Sequence, residues 1–195
     1  DRYDVHLILD EVYCGTGTSG KIYCCDWDKV RPDFIFIGKT LAAGYGAVNA
    51  VICGKEIEDQ LKTGQGRLQH TTTYQAHSLS IAAALAVQRI THDDDFLQNV
   101  MELGEFMRRT LSEELGNHPY YRDVRGRGLR FSLEYQCENQ IEFGQSLQQK
   151  ILEKHGILIN AKWHRICFTP GLILTKGQAS QTLELLINEF KACAS

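Results

Sequence analysis

Apolar residues follow three rhythms along this chain, and each predicts a different element. Val5-His6-Leu7-Ile8-Leu9 and Phe34-Ile35-Phe36-Ile37 are nearly unbroken apolar runs, the pattern of parallel strands buried on both faces. Strands are predicted at 5–12, 34–38 and 47–53. Gly15, Gly17 and Gly20 mark a turn after the first, and Pro32-Asp33 introduces the second. A short helix is expected over 56–61. Residues 77–90 are Ala-rich and apolar on most faces, which predicts a buried helix.

After Asp93-Asp94-Asp95 the rhythm changes. Phe96, Leu97, Val100, Leu103, Phe106, Met107 and Leu111 recur at spacings of three and four, so a long amphipathic helix is predicted to about 115. The three acids supply its cap and first turn, and Gly116-Asn117 stops it. Arg125-Gly126-Arg127-Gly128 reads as a turn into a strand over 129–135. A helix over 140–155 ends at Gly156, strands follow at 157–161 and 165–168, and a last helix spans 178–192. The expected order after residue 93 is αβαββα. Two domains result: 1–92, α/β, and 93–195, a small α+β unit.

Composition narrows the class. The chain has 195 residues, 43% hydrophobic and 23% charged, with a net charge of −3. That suits a globular protein and gives no electrostatic case for nucleic acid or an anionic membrane. No apolar run approaches the roughly 18 residues of a membrane span. Seven cysteines lack metal-ligand spacing and read as mostly buried free thiols in a reducing compartment, cytoplasm or mitochondrion. The chain begins at Asp1 and enters a core strand within a few residues. Such a strand needs neighbours on both sides, so the chain is expected to be a piece of a longer protein, with any targeting region lost.

The candidate chemistry lies at two strand ends. Asp10 closes the first apolar run and Lys39 follows the second. Parallel sheets carry reactive groups at the carboxyl ends of their strands. An amine and a carboxylate placed there suit pyridoxal 5'-phosphate: the amine joins the aldehyde, and the carboxylate keeps the pyridine nitrogen protonated. Taken singly, Asp10 also reads as a cap or salt-bridge partner, and Lys39 as a surface lysine. Gly15 to Lys21 nearly matches a phosphate-binding loop, but Ile22 replaces the metal-binding hydroxyl, and the acidic strand directly precedes the loop. His70 and His77 read as hydrogen-bonded loop histidines before a metal pair.

Several segments together resemble the class III aminotransferases. Leu9-Asp10-Glu11-Val12 resembles the family's Asp-Glu-Val segment, which implies that Asp10 pairs with the pyridinium and Val12 packs on the ring. Gly38-Lys39-Thr40-Leu41-Ala42-Ala43-Gly44 is similar to its lysine motif, with Lys39 the Schiff-base lysine. His70-Thr71-Thr72-Thr73-Tyr74 resembles the segment whose Thr, here Thr73, binds the cofactor phosphate of a neighbouring subunit. Val124 to Leu129 is similar to the turn opening the small domain. The resemblance runs through the whole chain but covers only the family's carboxyl-terminal half.

It implies a partial fold type I pyridoxal-phosphate transferase, part of the large-domain sheet followed by the small domain. The implied activity is transamination in a homodimer, from an amine or ω-amino acid donor to a keto acid. The departures are specific. Thr18 stands where the family has Arg, and Thr71 where it has Gly. Cys167 stands where many members carry a carboxylate-binding Arg, with Arg165 two residues earlier; this favours amine or ω-amino donors. The family's Gly-Ser phosphate cup and ring-stacking aromatic do not precede Asp10. A truncated, non-catalytic homologue acting as a dimerising or regulatory protein is the alternative.

Overall fold

The computed structural model describes residues 3–63, 66 and 69–193. Two compact units divide it, Asp1–Leu97 and Gln98–Ser195.

The first unit is built on a three-stranded sheet. Strand β1 (Ile8–Asp10) pairs in parallel with β2 (Phe34–Ile37), which pairs antiparallel with β3 (Ala50–Cys53). Register sorts the side chains. Leu9, Ile35, Ile37, Ala50 and Ile52 share one face; Ile8, Asp10, Phe34, Phe36, Val51 and Cys53 share the other. On the first face Ile37, Leu41, Ala42 and Ala84 form a core with Ile35, Val48, Ala50 and Ala83 packed around it. The two alanines come from α2 (Ser78–Thr91), which follows α1 (Lys55–Thr63); their small side chains let the helix approach the sheet. The opposite face stays open.

One boundary needs correction here, and two apolar segments are exposed, as segments that need neighbours would be. The first strand is three residues long rather than the predicted 5–12, and it is exposed: Val5, Leu7 and Ile8 all face solvent. Helix α2 is not buried. Only Ala84 and Thr91 are, while Leu79 is 75% exposed and Leu85 and Ile90 are also open. The apolar pattern was read correctly, but among the described residues of this unit Val5, Ile8, Leu79 and Leu85 stay uncovered.

The second unit is α+β. Helix α3 (Asp94–Leu115) starts as predicted, the Asp93 carboxylate accepting the Phe96 N–H at 3.0 Å. Sheet order is β4 (Tyr121–Arg127), β5 (Arg130–Tyr135), β7 (Arg165–Phe168), β6 (Asn160–Lys162), antiparallel throughout. Helices α4 (Gln140–His155) and α5 (Lys176–Cys193) complete it. The order from α3 onward is therefore αββαββα. Strand β4 was missed because its sequence, Tyr-Arg-Asp-Val-Arg-Gly-Arg, is polar and Gly-bearing, and Arg125-Gly126-Arg127 lie in it rather than in a turn. Val100, Leu103, Met107 and Leu111 of α3 are buried in this unit with Phe131, Leu133 and Ile166 of the sheet. Phe143 and Phe190 meet edge-on, with centroids 5.1 Å apart, joining α4 to α5.

The tightest contact of the unit is Gly104 on α3. A Cβ there would stand 2.0 Å from the Gly128 carbonyl oxygen, so helix and hairpin touch backbone to backbone. Gly104→Ala is expected to cost about 3 kcal/mol, the upper range for overpacking, read as a lowered urea midpoint with an unchanged slope. An unchanged midpoint would refute the close approach.

The cysteines are free, but only Cys25 is buried; the other six are half-exposed. The expectation of mostly buried thiols is corrected accordingly. Among the described residues no helix is long and apolar enough to cross a membrane.

Candidate functional site

The site is assembled at the carboxyl ends of β1 and β2. Alternation along β1 sends neighbouring acids to opposite faces. Glu11 turns inward and is buried; Asp10 turns to the open face, in register with Phe36. The parallel ladder continues past the strand, with Glu11 N–H donating to the Phe36 carbonyl at 2.9 Å.

Glu11 fixes the loop that follows. Its two carboxylate oxygens accept the Cys24 and Cys25 N–H groups at 2.6 and 2.7 Å. Those amides open a short 3-10 helix, Cys24–Trp27, whose first N–H groups lack internal partners. A carboxylate there satisfies two donors and meets the positive end of the peptide dipoles. Sequence reading passed over Glu11 because it seeks exposed or paired reactive groups. The available signal was an acid at an inward position of an apolar strand, which demands a partner.

The open-face carboxylate is differently placed. Asp10 is exposed, and its Oδ1 accepts the Val12 N–H at 3.1 Å. Val12 is half-buried, its methyls 3.5–3.8 Å from where a Cβ on Gly38 would lie. Next comes Lys39, first residue of the 3-10 turn Lys39–Leu41, exposed and with φ at +46°. A left-handed backbone costs a non-glycine residue roughly 1 kcal/mol, and such strain concentrates at functional positions. Gln88 of α2 donates to the Leu41 carbonyl at 2.9 Å, which holds the turn to the helix.

Between these segments lies a cavity of about 400 Å³, lined by Val12, Phe36, Gly38, Lys39, Asn49 and Val51 among others. Asp10 does not line it; it stands on the same sheet face as Phe36 and Val51, which do. Ile37 and Ala50 of the other face line it too, so the cavity sits at the end of the sheet, with Lys39 in its lining and Asp10 outside it. The sequence did not single out Asn49.

The remaining candidates fall elsewhere. Thr73 is exposed in the turn 73–76, five residues ahead of α2, whose N-cap is His77; it does not cap that helix. Thr18 is fully buried, its hydroxyl donating to the Cys14 carbonyl at 2.8 Å. The glycine loop is folded onto itself: Gly17, Thr18 and Gly20 N–H groups donate to Ile22, Gly15 and Gly17 carbonyls. Three of the loop's amides are thus taken by its own carbonyls, which counts against the nucleotide reading. His77 Nδ1 lies 3.5 Å from Ser80 Oγ, and among the described residues no group of His, Cys, Asp and Glu is arranged to hold a metal. Arg165 and Cys167 lie on β7 of the second unit. Trp163 beside them is exposed, with the Arg165 guanidinium 5.7 Å from its ring. Tyr13 and Tyr45 are exposed and do not pack in the core.

The sequence of residues 1–190 matches the class-III aminotransferases. Ornithine aminotransferase 2 of Staphylococcus aureus is 31% identical over 194 residues, 98% of this chain and 46% of that protein. An aminotransferase of Gibberella zeae is 37% identical over 140 residues, 72% of this chain and 27% of that protein. Among solved structures, ornithine aminotransferase from Plasmodium yoelii superposes with a TM-score of 0.86 at 28% identity, covering 98% of this chain and 49% of that one. Another neighbour, ornithine aminotransferase from Toxoplasma gondii with pyridoxal phosphate partly occupying its active site, gives 0.86 at 28% identity, covering 98% and 44%. The chain thus spans about half the length of these relatives or less. Its fold is that of the pyridoxal-phosphate-dependent aminotransferases, and the chain belongs to the class III aminotransferase family.

Proposed function

We propose that this chain is the carboxyl-terminal part of a transaminase that moves an amino group from an amine or ω-amino acid donor to a keto acid. The observation that carries the reading is Lys39, exposed and with a left-handed backbone, in the lining of a cavity at the carboxyl end of β2. The residues present fit pyridoxal phosphate. An uncrowded amine, an exposed carboxylate and an apolar wall at Val12 supply one contact each for aldehyde, ring nitrogen and ring face. When bound, the cofactor supplies an electron sink for the carbanion left by proton loss from the substrate.

The chain's own residues do the rest. Lys39 Nζ would hold the cofactor covalently and, once freed by a substrate amine, would act as the base toward the substrate Cα proton. The Asp10 carboxylate, oriented by the Val12 N–H, keeps the pyridine nitrogen protonated. Cys167 in place of a carboxylate-binding Arg supports donors without an α-carboxylate.

The open apolar surfaces support the incomplete-chain reading. Val5 at 73% exposure, Ile8, Leu79 and Leu85 are bare apolar side chains of the kind that interfaces cover, and the relatives are about twice as long. A further polypeptide segment and a second subunit together cover these faces in this proposal. In that dimer Thr73 reaches the neighbouring cofactor phosphate. Thr73→Ala in the full-length protein is expected to weaken cofactor affinity tenfold to a hundredfold, the loss of one hydrogen bond to a charged group at about 1.5–3 kcal/mol. Unchanged affinity in a cofactor titration would return Thr73 to a plain turn residue. The activity itself is tested by absorbance. The full-length protein with pyridoxal phosphate should show a visible band that an ω-amino donor bleaches and a keto acid restores. A band indifferent to every amine would count against transamination and for a non-catalytic homologue.

A further inference from the structure

The cavity that holds Lys39 has one further polar side chain whose task is unassigned. Val12, Phe36, Ile37 and Val51 are among its apolar walls, and of its lining residues only Lys39 and Asn49 bring polar side chains. Binding sites commonly set orientation with a few polar groups in an apolar wall. The sheet brings these two residues together. Carrying the β2–β3 register one step past Ile37–Ala50 sets Asn49 against Gly38, the residue before Lys39. A Cβ on Gly38 would stand 3.5 Å from the Asn49 Cβ and 3.5–3.8 Å from the Val12 methyls. Asn49 and Val12 therefore hem in the peptide that leads into Lys39. Directly opposed antiparallel residues lie about 4.5–5.5 Å apart at Cα, a span that the lysine stem one residue on can cover. Among the described residues neither side chain has a hydrogen-bond or ionic partner.

We infer that Asn49 is a positioning residue for Lys39: its side-chain oxygen accepts an N–H of the Lys39 amine and holds that amine at the cavity. The inference rests on the transaminase reading above, in which the amine meets first an aldehyde and later a substrate proton. A carboxamide suits this task. It is neutral, so it orients the amine without favouring the ammonium form, as a carboxylate would. An amine must be unprotonated both to join a carbonyl and to act as a base. A leucine of similar shape offers no acceptor, and the amine is then free to swing on its four-carbon stem.

The test has two arms, both on the full-length protein. In the first, the protein is freed of cofactor and its lysines are acetylated with a trace of acetic anhydride at one fixed pH. Lys55, exposed on α1, is the internal standard. Asn49→Asp should lower Lys39 labelling relative to Lys55 roughly tenfold, the low end of what an adjacent opposite charge does, and Asn49→Gln should leave it close to the parent. Unchanged labelling in Asn49→Asp would overturn the inference, because residue 49 would then lie out of reach of the amine. This arm needs no turnover, so it stands whether or not the protein transaminates. In the second arm, Asn49→Leu should lower kcat about threefold to tenfold, the worth of one neutral hydrogen bond, with KM for the donor unchanged. Asn49→Gln should recover most of that loss. A raised KM with unchanged kcat would make Asn49 a substrate contact and overturn the positioning role, as would equal losses in the Leu and Gln variants. No turnover in the parent protein would count against the transaminase reading alone, and the labelling would still decide whether Asn49 holds Lys39. Asn49 is exposed, so all three variants should keep the parental denaturation midpoint.

Discussion

Lys39→Ala in the full-length protein is expected to abolish transamination while leaving pyridoxal phosphate bound noncovalently. In the proposed mechanism the amine has two tasks, attachment of the cofactor and transfer of the substrate proton, and one substitution removes both. General-base transfer by a positioned group is worth roughly 10²–10⁴ in rate, and loss of covalent attachment adds to that. Asp10 and the phosphate contacts remain, so cofactor should still co-purify or titrate. The visible band of the lysine-bound form should be replaced by that of free aldehyde. The Lys39 backbone angle of +46° gives a control: Lys39→Gly relaxes the strain, so it should be folded at least as well as Lys39→Ala and equally inactive. Turnover near the parental rate in either variant would remove Lys39 from the chemistry.

Glu11→Ala is expected to be the most destabilising substitution near the site, by about 4 kcal/mol. Two bonds to a buried carboxylate are lost, and the Cys24 and Cys25 amides are left without partners. Each buried donor so stranded costs roughly 1–3 kcal/mol, and a fresh cavity adds to this. Glu11→Gln keeps one acceptor oxygen and should lose about half as much. Since Glu11 and Asp10 are consecutive, loosening the first disturbs the backbone that aims the second, so cofactor affinity should fall along with the denaturation midpoint. A Glu11→Ala protein with unchanged midpoint would mean the clasp on Cys24 and Cys25 contributes nothing.

Most elements could be read from the chain because local pattern and tertiary outcome agree. The α3 periodicity, its Asp93 cap and the Gly156 stop of α4, in left-handed conformation at φ 65°, appear where apolar spacing and capping chemistry put them. Strand β4 could not be read, since Arg122, Asp123, Arg125 and Arg127 disguise a strand held by its pairing with β5 rather than by its own apolar character. Exposure of the same segments was expected, since runs this apolar call for a covering neighbour. Apolar runs at 5–9 and 79–90 state what a segment seeks to bury, not whether a partner is present in the same chain. Lys39 and Asp10 stand out as candidates from their places at strand ends. Glu11 does not, because its role depends on amides 13 and 14 residues away meeting its oxygens, and no local pattern encodes that return of the chain.

The most direct test of the account is where pyridoxal phosphate attaches. The full-length protein is incubated with the cofactor, reduced with borohydride to fix any lysine-bound pyridoxyl group, digested and mapped. The account predicts one modified lysine per chain, Lys39, with the label lost when an amine donor is added before reduction. Label spread over surface lysines such as Lys55 and Lys62, or a single label elsewhere with Lys39 unmodified, would contradict it.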